Sequence, residues 1–141
     1  MSLFGGMKAS ASALRVERLR MNVIAENIAN AESTHGPRGG PYRRKQVLVG
    51  AAAGIERPNG GAAAAQGGVR AFGVVEDKSP DRIMLDPSHP DADAKGYVKM
   101  PNVDVPVEMV DMMVATRAYE ANAVAFASQR QSQERTLELL A

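Results

Sequence analysis

The strongest pattern in the chain lies at its two ends. From Leu14 to Thr34 the apolar residues recur at helical spacing, on two sides rather than one. Leu14, Met21, Ile24 and Ile28 fall on one flank, and Val16, Leu19 and Val23 fall roughly opposite. Met7, Leu14, Met21 and Ile28 repeat every seven residues, as in a helix–helix seam. A helix that buries one face needs one stripe; two stripes predict packing on both sides, as in a multi-helix assembly. Between the stripes runs a polar row, Asn22, Glu26 and Asn30, with Asn27 beside it. Asparagine is a poor mid-helix residue. The row fits either a solvated, marginal helix or amides with fixed partners in a packed assembly, and the pattern alone leaves both open.

The second helical pattern runs from Val105 to Leu140. Met109, Met112, Thr116, Tyr119, Ala123, Phe126, Arg130, Gln133, Leu137 and Leu140 alternate by three and four, with a polar interruption at Arg130 and Gln133. A second flank carries Val110, Val114, Ala121 and Val124. Asp104 is a good N-cap and Pro106 is tolerated in the first turn. At roughly 54 Å this helix outruns the first, at about 36 Å, so one end lacks a partner within the chain. Its many alanines permit close approach of neighbouring helices.

The middle is diluted by glycine and proline. Gln46–Val49 and Val69–Glu76 read as strands of a hairpin, and Asp81–Leu85 as a third short strand. Residues 50–68 are low in complexity and read as a mobile loop. Residues 86–106 read as a proline-punctuated extended connection. Residues 1–8, with Gly5 and Gly6, read as a flexible lead-in, and Ser10 or Ser12 as the cap of the first helix. The organisation is therefore an N-terminal helical part at 1–34, a middle at 35–104 and a long C-terminal helix at 105–141.

Composition sharpens this picture. With 141 residues, three Phe, three Tyr and no Trp, the chain is poor in large side chains for a closed core. Much of its apolar surface is expected to be covered only by other subunits. A net charge of +1 gives no field that selects nucleic acid or an anionic membrane. No cysteine is present, which removes disulfides, thiolate metal sites and cysteine nucleophiles. No apolar run reaches the roughly 20 residues of a membrane span, and the N-terminus has no Sec-type signal pattern.

Candidate chemistry is sparse. Asp86, His89, Asp91 and Asp93 carry metal-ligating groups but lack the glycine and bidentate glutamate placement of a calcium loop, and a solvated connector is the favoured reading. His35 and His89 are lone loop histidines. Gly36, Gly39 and Gly40 follow a helix with no Lys-Ser/Thr after them, so they cradle no phosphate. No nucleophile elbow occurs. Arg43-Arg44-Lys45 reads first as a solvated strand edge and second as a patch that meets an acidic neighbour or polymer, and Met109, Met112 and Met113 read as packing. No cofactor, metal site or enzymatic activity is expected.

At this point the motifs become recognisable. LRMNVIAENIANAEST at 19–34 resembles the N-terminal signature of flagellar rod and hook-type axial proteins, and NVDVPVEMVDMMVATRAYEAN at 102–122 resembles their C-terminal signature. GPRGGPYRRKQV at 36–47 and DPSHPDADAKGYVKMPNVDV at 86–105 resemble the middle of a proximal-rod member of that family. Asn22, Asn27, Ala29 and Asn30 match the first motif, and Arg117, Tyr119 and Asn122 the second; Glu26 and the longer Ala/Gly tract depart from it.

The resemblance implies a mainly α fold: N- and C-terminal helices packed as an antiparallel, coiled-coil-like pair, with a small β-hairpin and extended middle. It implies a structural subunit of the periplasmic flagellar rod, exported by the flagellar type III apparatus without a cleaved signal peptide. Its partners would be further copies, the rod proteins FlgB, FlgF and FlgG, and the rod-base adaptor FliE. Leu14, Met21, Asn22, Ile24, Asn27, Ile28, Asn30, Met109, Met112, Arg117, Tyr119, Asn122 and Phe126 are the expected subunit-interface residues. The competing expectation is a soluble coiled-coil adaptor or chaperone that binds partner helices.

Overall fold

A computed structural model describes residues 3–36, 39–52 and 67–139, with residues 3 and 4 as backbone only. The elements run α1 (Leu3–Ala29), β1 (Lys45–Ala51), β2 (Val69–Glu76), β3 (Arg82–Leu85), β4 (Tyr97–Met100) and α2 (Val105–Glu138). Most of the tract expected to loop at 50–68 lies outside the described residues.

The two helices are antiparallel. Near one end Asn27 meets Glu108, in the middle Met21 meets Thr116, and at the far end Gly6 lies beneath Gln129. The 27 residues of α1 span about 40 Å and the 34 of α2 about 51 Å. The tail of α2 therefore overhangs α1 as described, and Leu137 and Leu139 there are exposed.

α1 starts earlier than the sequence suggests. Residues 3–8 are helical, so the expected flexible lead-in is corrected. Gly5 and Gly6 are poor helix formers in isolation. A Cβ at Gly6, however, would stand 2.7 Å from the Gln129 amide nitrogen, so the glycine lets α2 lie close. Neither Ser10 nor Ser12 caps the helix. Ser10 is buried within it, and the Ser12 hydroxyl donates to Ala9 O and accepts from Val69 N, tying α1 to β2. α2 begins as expected: the Asp104 carboxylate accepts from Val107 N, and proline sits in the first turn.

The middle forms two antiparallel hairpins rather than one hairpin and an extended connection. In the first, Leu48 pairs Gly73 and Val49 pairs Ala71, which leaves Phe72 as the extra residue of a bulge. The Phe72 ring fills the space where a Cβ of Gly50 would stand, and the Arg70 guanidinium lies 4.5 Å from its centre. The second hairpin pairs Arg82–Leu85 with Tyr97–Met100. β4 is the element that the proline-rich reading missed, because four residues between turns give little periodicity. It alternates strictly: Val98 and Met100 are buried, Tyr97 and Lys99 exposed. Gly96, at φ +83° over the Pro87 ring, opens this strand where a side chain would be strained.

The core sits where α1 ends and α2 begins. Ala31, Tyr42 and Val103 cluster there with Val105 against them, and Val98, Met100 and Pro101 are buried nearby. Two stripes on α1 are satisfied within one chain: α2 covers one side, while β1 and β2 pack along the helix as well. Val16 and Leu19 stand beside Val69 and Ala71, and Val23 beside Val74 and Val75. The inference that both stripes require neighbouring subunits is corrected for α1.

Candidate assembly surface

The centre of the molecule is a buried polar junction. Asn27, 1% exposed, uses its full hydrogen-bonding capacity. Its Nδ2 donates to Lys45 O and to Glu108 Oε2, each at 2.9 Å. Its Oδ1 accepts from the Tyr42 hydroxyl at 3.0 Å and from Lys45 N at 2.9 Å. Glu108, equally buried, accepts from Arg44 Nε at 2.5 Å. Arg44 also reaches Asp111 at 3.3 Å and Asp77 at 3.8 Å, and its backbone N–H donates to Asn102 Oδ1. One network thus joins α1, α2, β1 and the segment before α2. Burial pushes the Tyr42 phenol up to about 12, with the carboxylates of Glu26, Glu108 and Glu76 adding to the effect.

Of the expected polar row, Asn27 carries the structure. Asn22 is exposed, and half-buried Asn30 donates to Glu26 O at 2.8 Å and accepts from Ser33. The basic trio is not a solvated edge. Arg44 enters the junction, Arg43 pairs with Asp81 at 3.0 Å, and Lys45 pairs with Glu26. Sequence reasoning missed Glu108 because an acid in a first helical turn is already explained by the helix dipole.

The seam of α2 overlaps the expected one and adds positions on one further flank. Glu108, Met112, Ala115, Tyr119, Asn122, Phe126, Gln129 and Gln133 are its buried or half-buried positions, alternating four and three. Met112, Thr116, Tyr119, Ala123, Phe126 and Gln133 of the predicted seam are half-buried, whereas Met109, 56% exposed, Arg130 and Leu137 are exposed. Asn122 lies in the inner seam and donates to Ala118 O, while Arg117 is exposed. On α1, Ile24 and Asn27 are buried and Leu14, Met21 and Ile28 half-buried, so their contacts lie within this chain.

Opposite the seam, α2 presents a second regular stripe. Val107, Val110, Val114, Arg117, Ala121 and Val124 alternate by three and four, and all are exposed, with Met109 and Met113 alongside. Val124 is 70% exposed. Valines at this spacing, facing water on one long helix, form a surface without a cover in the single chain.

The acidic loop serves its own turns. The Asp86 carboxylate accepts from the amide and hydroxyl of Ser88, and Asp93 accepts from the amides of Lys95 and Tyr97. These bonds hold both carboxyls below the usual range. Asp91 accepts from Thr34 at 2.7 Å, fastening this loop to the segment that follows α1. Among the described residues no group of three or more His, Asp or Glu is placed to hold a metal, and no helix is long and apolar enough to cross a membrane.

Known proteins resemble this chain in sequence. Residues 7–38 match the family model described as flagella basal body rod protein, and residues 94–139 the one described as flagellar basal body rod FlgEFG protein C-terminal. The chain is 48% identical over 122 residues to the flagellar basal-body rod protein FlgC of Escherichia coli O6:H1, covering 86% of each. It is 39% identical over 146 aligned positions to FlgC of Borreliella burgdorferi, covering 92% of each.

The chain belongs to the FlgC family of flagellar basal-body rod proteins.

FlgC of Aquifex aeolicus, 36% identical over 138 positions, extends the match to 98% of this chain and 97% of its own. The two family models cover most of both helices and β4 but leave β1, β2 and β3 unmatched. As a member of the FlgC family, the chain is a structural subunit of the flagellar rod and not an enzyme.

Proposed function

We propose that this FlgC-family subunit builds the proximal rod by laying the outer stripe of α2 against neighbouring subunits, giving a helical tube that transmits torque. The supporting observation is the exposed row Val107, Val110, Val114 and Val124, on a helix whose other side α1 already fills. Covering each such valine is worth about 1 kcal/mol, so a subunit touching several neighbours gains enough to hold a filament. A contact between unlike faces does not close on itself and propagates as a helix of subunits.

Within this reading the terminal helices form the wall as an antiparallel, coiled-coil-like pair, and the middle hairpins, residues 35–104, lie outside it. Asn22, Met109 and Arg117 are inter-subunit contacts. Leu14, Met21, Ile24, Asn27, Ile28, Met112, Tyr119, Asn122 and Phe126 shape the interface from beneath, and Asn30 holds the end of α1. The neighbours are further copies, FlgB, FlgF and FlgG, with FliE at the base. The subunit works in the periplasm after export by the flagellar type III apparatus without a cleaved signal peptide.

The test is Val114→Asp combined with Val124→Asp. The variant is expected to keep the helical circular dichroism and thermal midpoint of the parent chain, to be exported, and to be absent from isolated basal bodies, with motility lost. Motile cells with the variant in their rods would overturn the proposal. A variant present in full amount and bound to a cytosolic partner would favour the adaptor reading.

A further inference from the structure

We infer that the buried junction of Asn27, Glu108, Arg44 and Tyr42 is a register lock: it selects one alignment of α1 on α2 from two that the seam itself barely distinguishes.

The seam is a weak ruler. Its inner positions on α2 alternate four and three from Glu108 to Gln133, and the facing side of α1 repeats with the same period. Moving one helix along the other by seven residues therefore brings seam onto seam again. Much of what is matched is small or polar: Gly6, Ser10, Ala115, Thr116, Asn122 and Gln129. Such residues interdigitate little, so the shift costs little packing. Its displacement is about 10 Å, enough to carry the outer stripe of α2 out of line with α1 and the hairpins.

The two directions of shift are not equivalent. One takes Asn27 past Val105, beyond the start of α2, and leaves it without a helical partner. The other sets Asn27 level with Ala115 and Glu108 level with Thr34, beyond the end of α1. Nothing at Ala115 replaces the bonds of Asn27, three of which come from outside the seam, from Tyr42 and Lys45, and the fourth from Glu108. A buried amide stripped of its partners costs about 1–3 kcal/mol, more when a charged partner is orphaned with it. Because Lys45 opens β1 and Arg44 precedes it, the same bonds seat the first hairpin on the helix pair. Register and placement of the middle are decided together.

The absence of cysteine in the native chain makes the test direct. Two full-length variants report the two alignments: Met21→Cys with Thr116→Cys for the observed one, and Met21→Cys with Ala123→Cys for the shifted one. In the otherwise native chain the first pair is expected to oxidise to an intramolecular disulfide at least about tenfold faster than the second. Adding Asn27→Leu and Glu108→Leu should bring the two rates within about threefold while helical circular dichroism is retained. Ile24→Ala, a truncation in the same seam without polar consequence, should keep the native preference. The inference is overturned if the native chain shows no preference, if the double leucine background keeps it, if that background loses its helices, or if Ile24→Ala slips equally.

Discussion

At the scale of single residues, the junction shows why a buried polar group is either fully satisfied or damaging. Asn27 sits in a helix interior, where its propensity is unfavourable, and is retained there by four bonds from three other residues. Asn27→Ala should lower the unfolding free energy by about 2–4 kcal/mol, since Glu108, Tyr42 and the Lys45 backbone would all lose a partner; urea denaturation of the full chain measures it. Tyr42 gives a pH signature. Its phenol is raised from 10.0 to about 12, so the folded state holds a proton that the unfolded state releases first. Stability is then complete below about pH 10 and falls as the pH rises towards 12. Tyr42→Phe should remove that part of the alkaline loss, and ultraviolet titration of phenolate should show one late-ionising tyrosine in the parent.

At the scale of elements, the second hairpin depends on carboxylates that act as caps. Asp86 and Asp93 are held below their ordinary range by hydrogen bonds to their own turn. A depressed carboxylate contributes stability that is present above its unfolded value and is lost as the pH falls through its folded one. Acid should therefore loosen the turn before β4. Amide exchange at Lys95 and Tyr97 should accelerate in that range, and Asp93→Asn should flatten the dependence. Gly96→Ala tests the same turn sterically: at φ +83°, with Pro87 beneath, the methyl should cost about 1–2 kcal/mol and leave helix content intact. Similar logic explains the helical start of α1. Gly6, which weakens an isolated helix, becomes acceptable where Gln129 of α2 lies against it.

At the scale of the whole molecule, the subunit is asymmetric in what it leaves uncovered. α1 is covered by α2 and by the first hairpin; α2 is covered on one side and overhangs at its end. Removing residues 134–141 should change the stability of the single chain by no more than about 0.5 kcal/mol, because exposed Leu137 and Leu139 support nothing inside it. Incorporation into basal bodies should fall sharply, which subunit counts in isolated rods would show. A truncated chain that incorporates normally would mean that the overhang is not a contact.

The order of patterns along the chain determined most of the architecture: two helices from periodicity, a hairpin from alternation, a capped start for α2, and linked terminal motifs that mark the flagellar rod family. Those features are local, and local spacing records them. Other facts needed three dimensions. Whether Met109 or Glu108 faces α1 turns on one residue of helix rotation, which a continuous run of valine and methionine cannot register. That Arg44 is a junction residue, while Arg43 beside it pairs at the rim, depends on which carboxylates the fold brings within reach. The second stripe of α1 finds its cover inside the chain and that of α2 does not, because the first hairpin folds back along only one of the two helices.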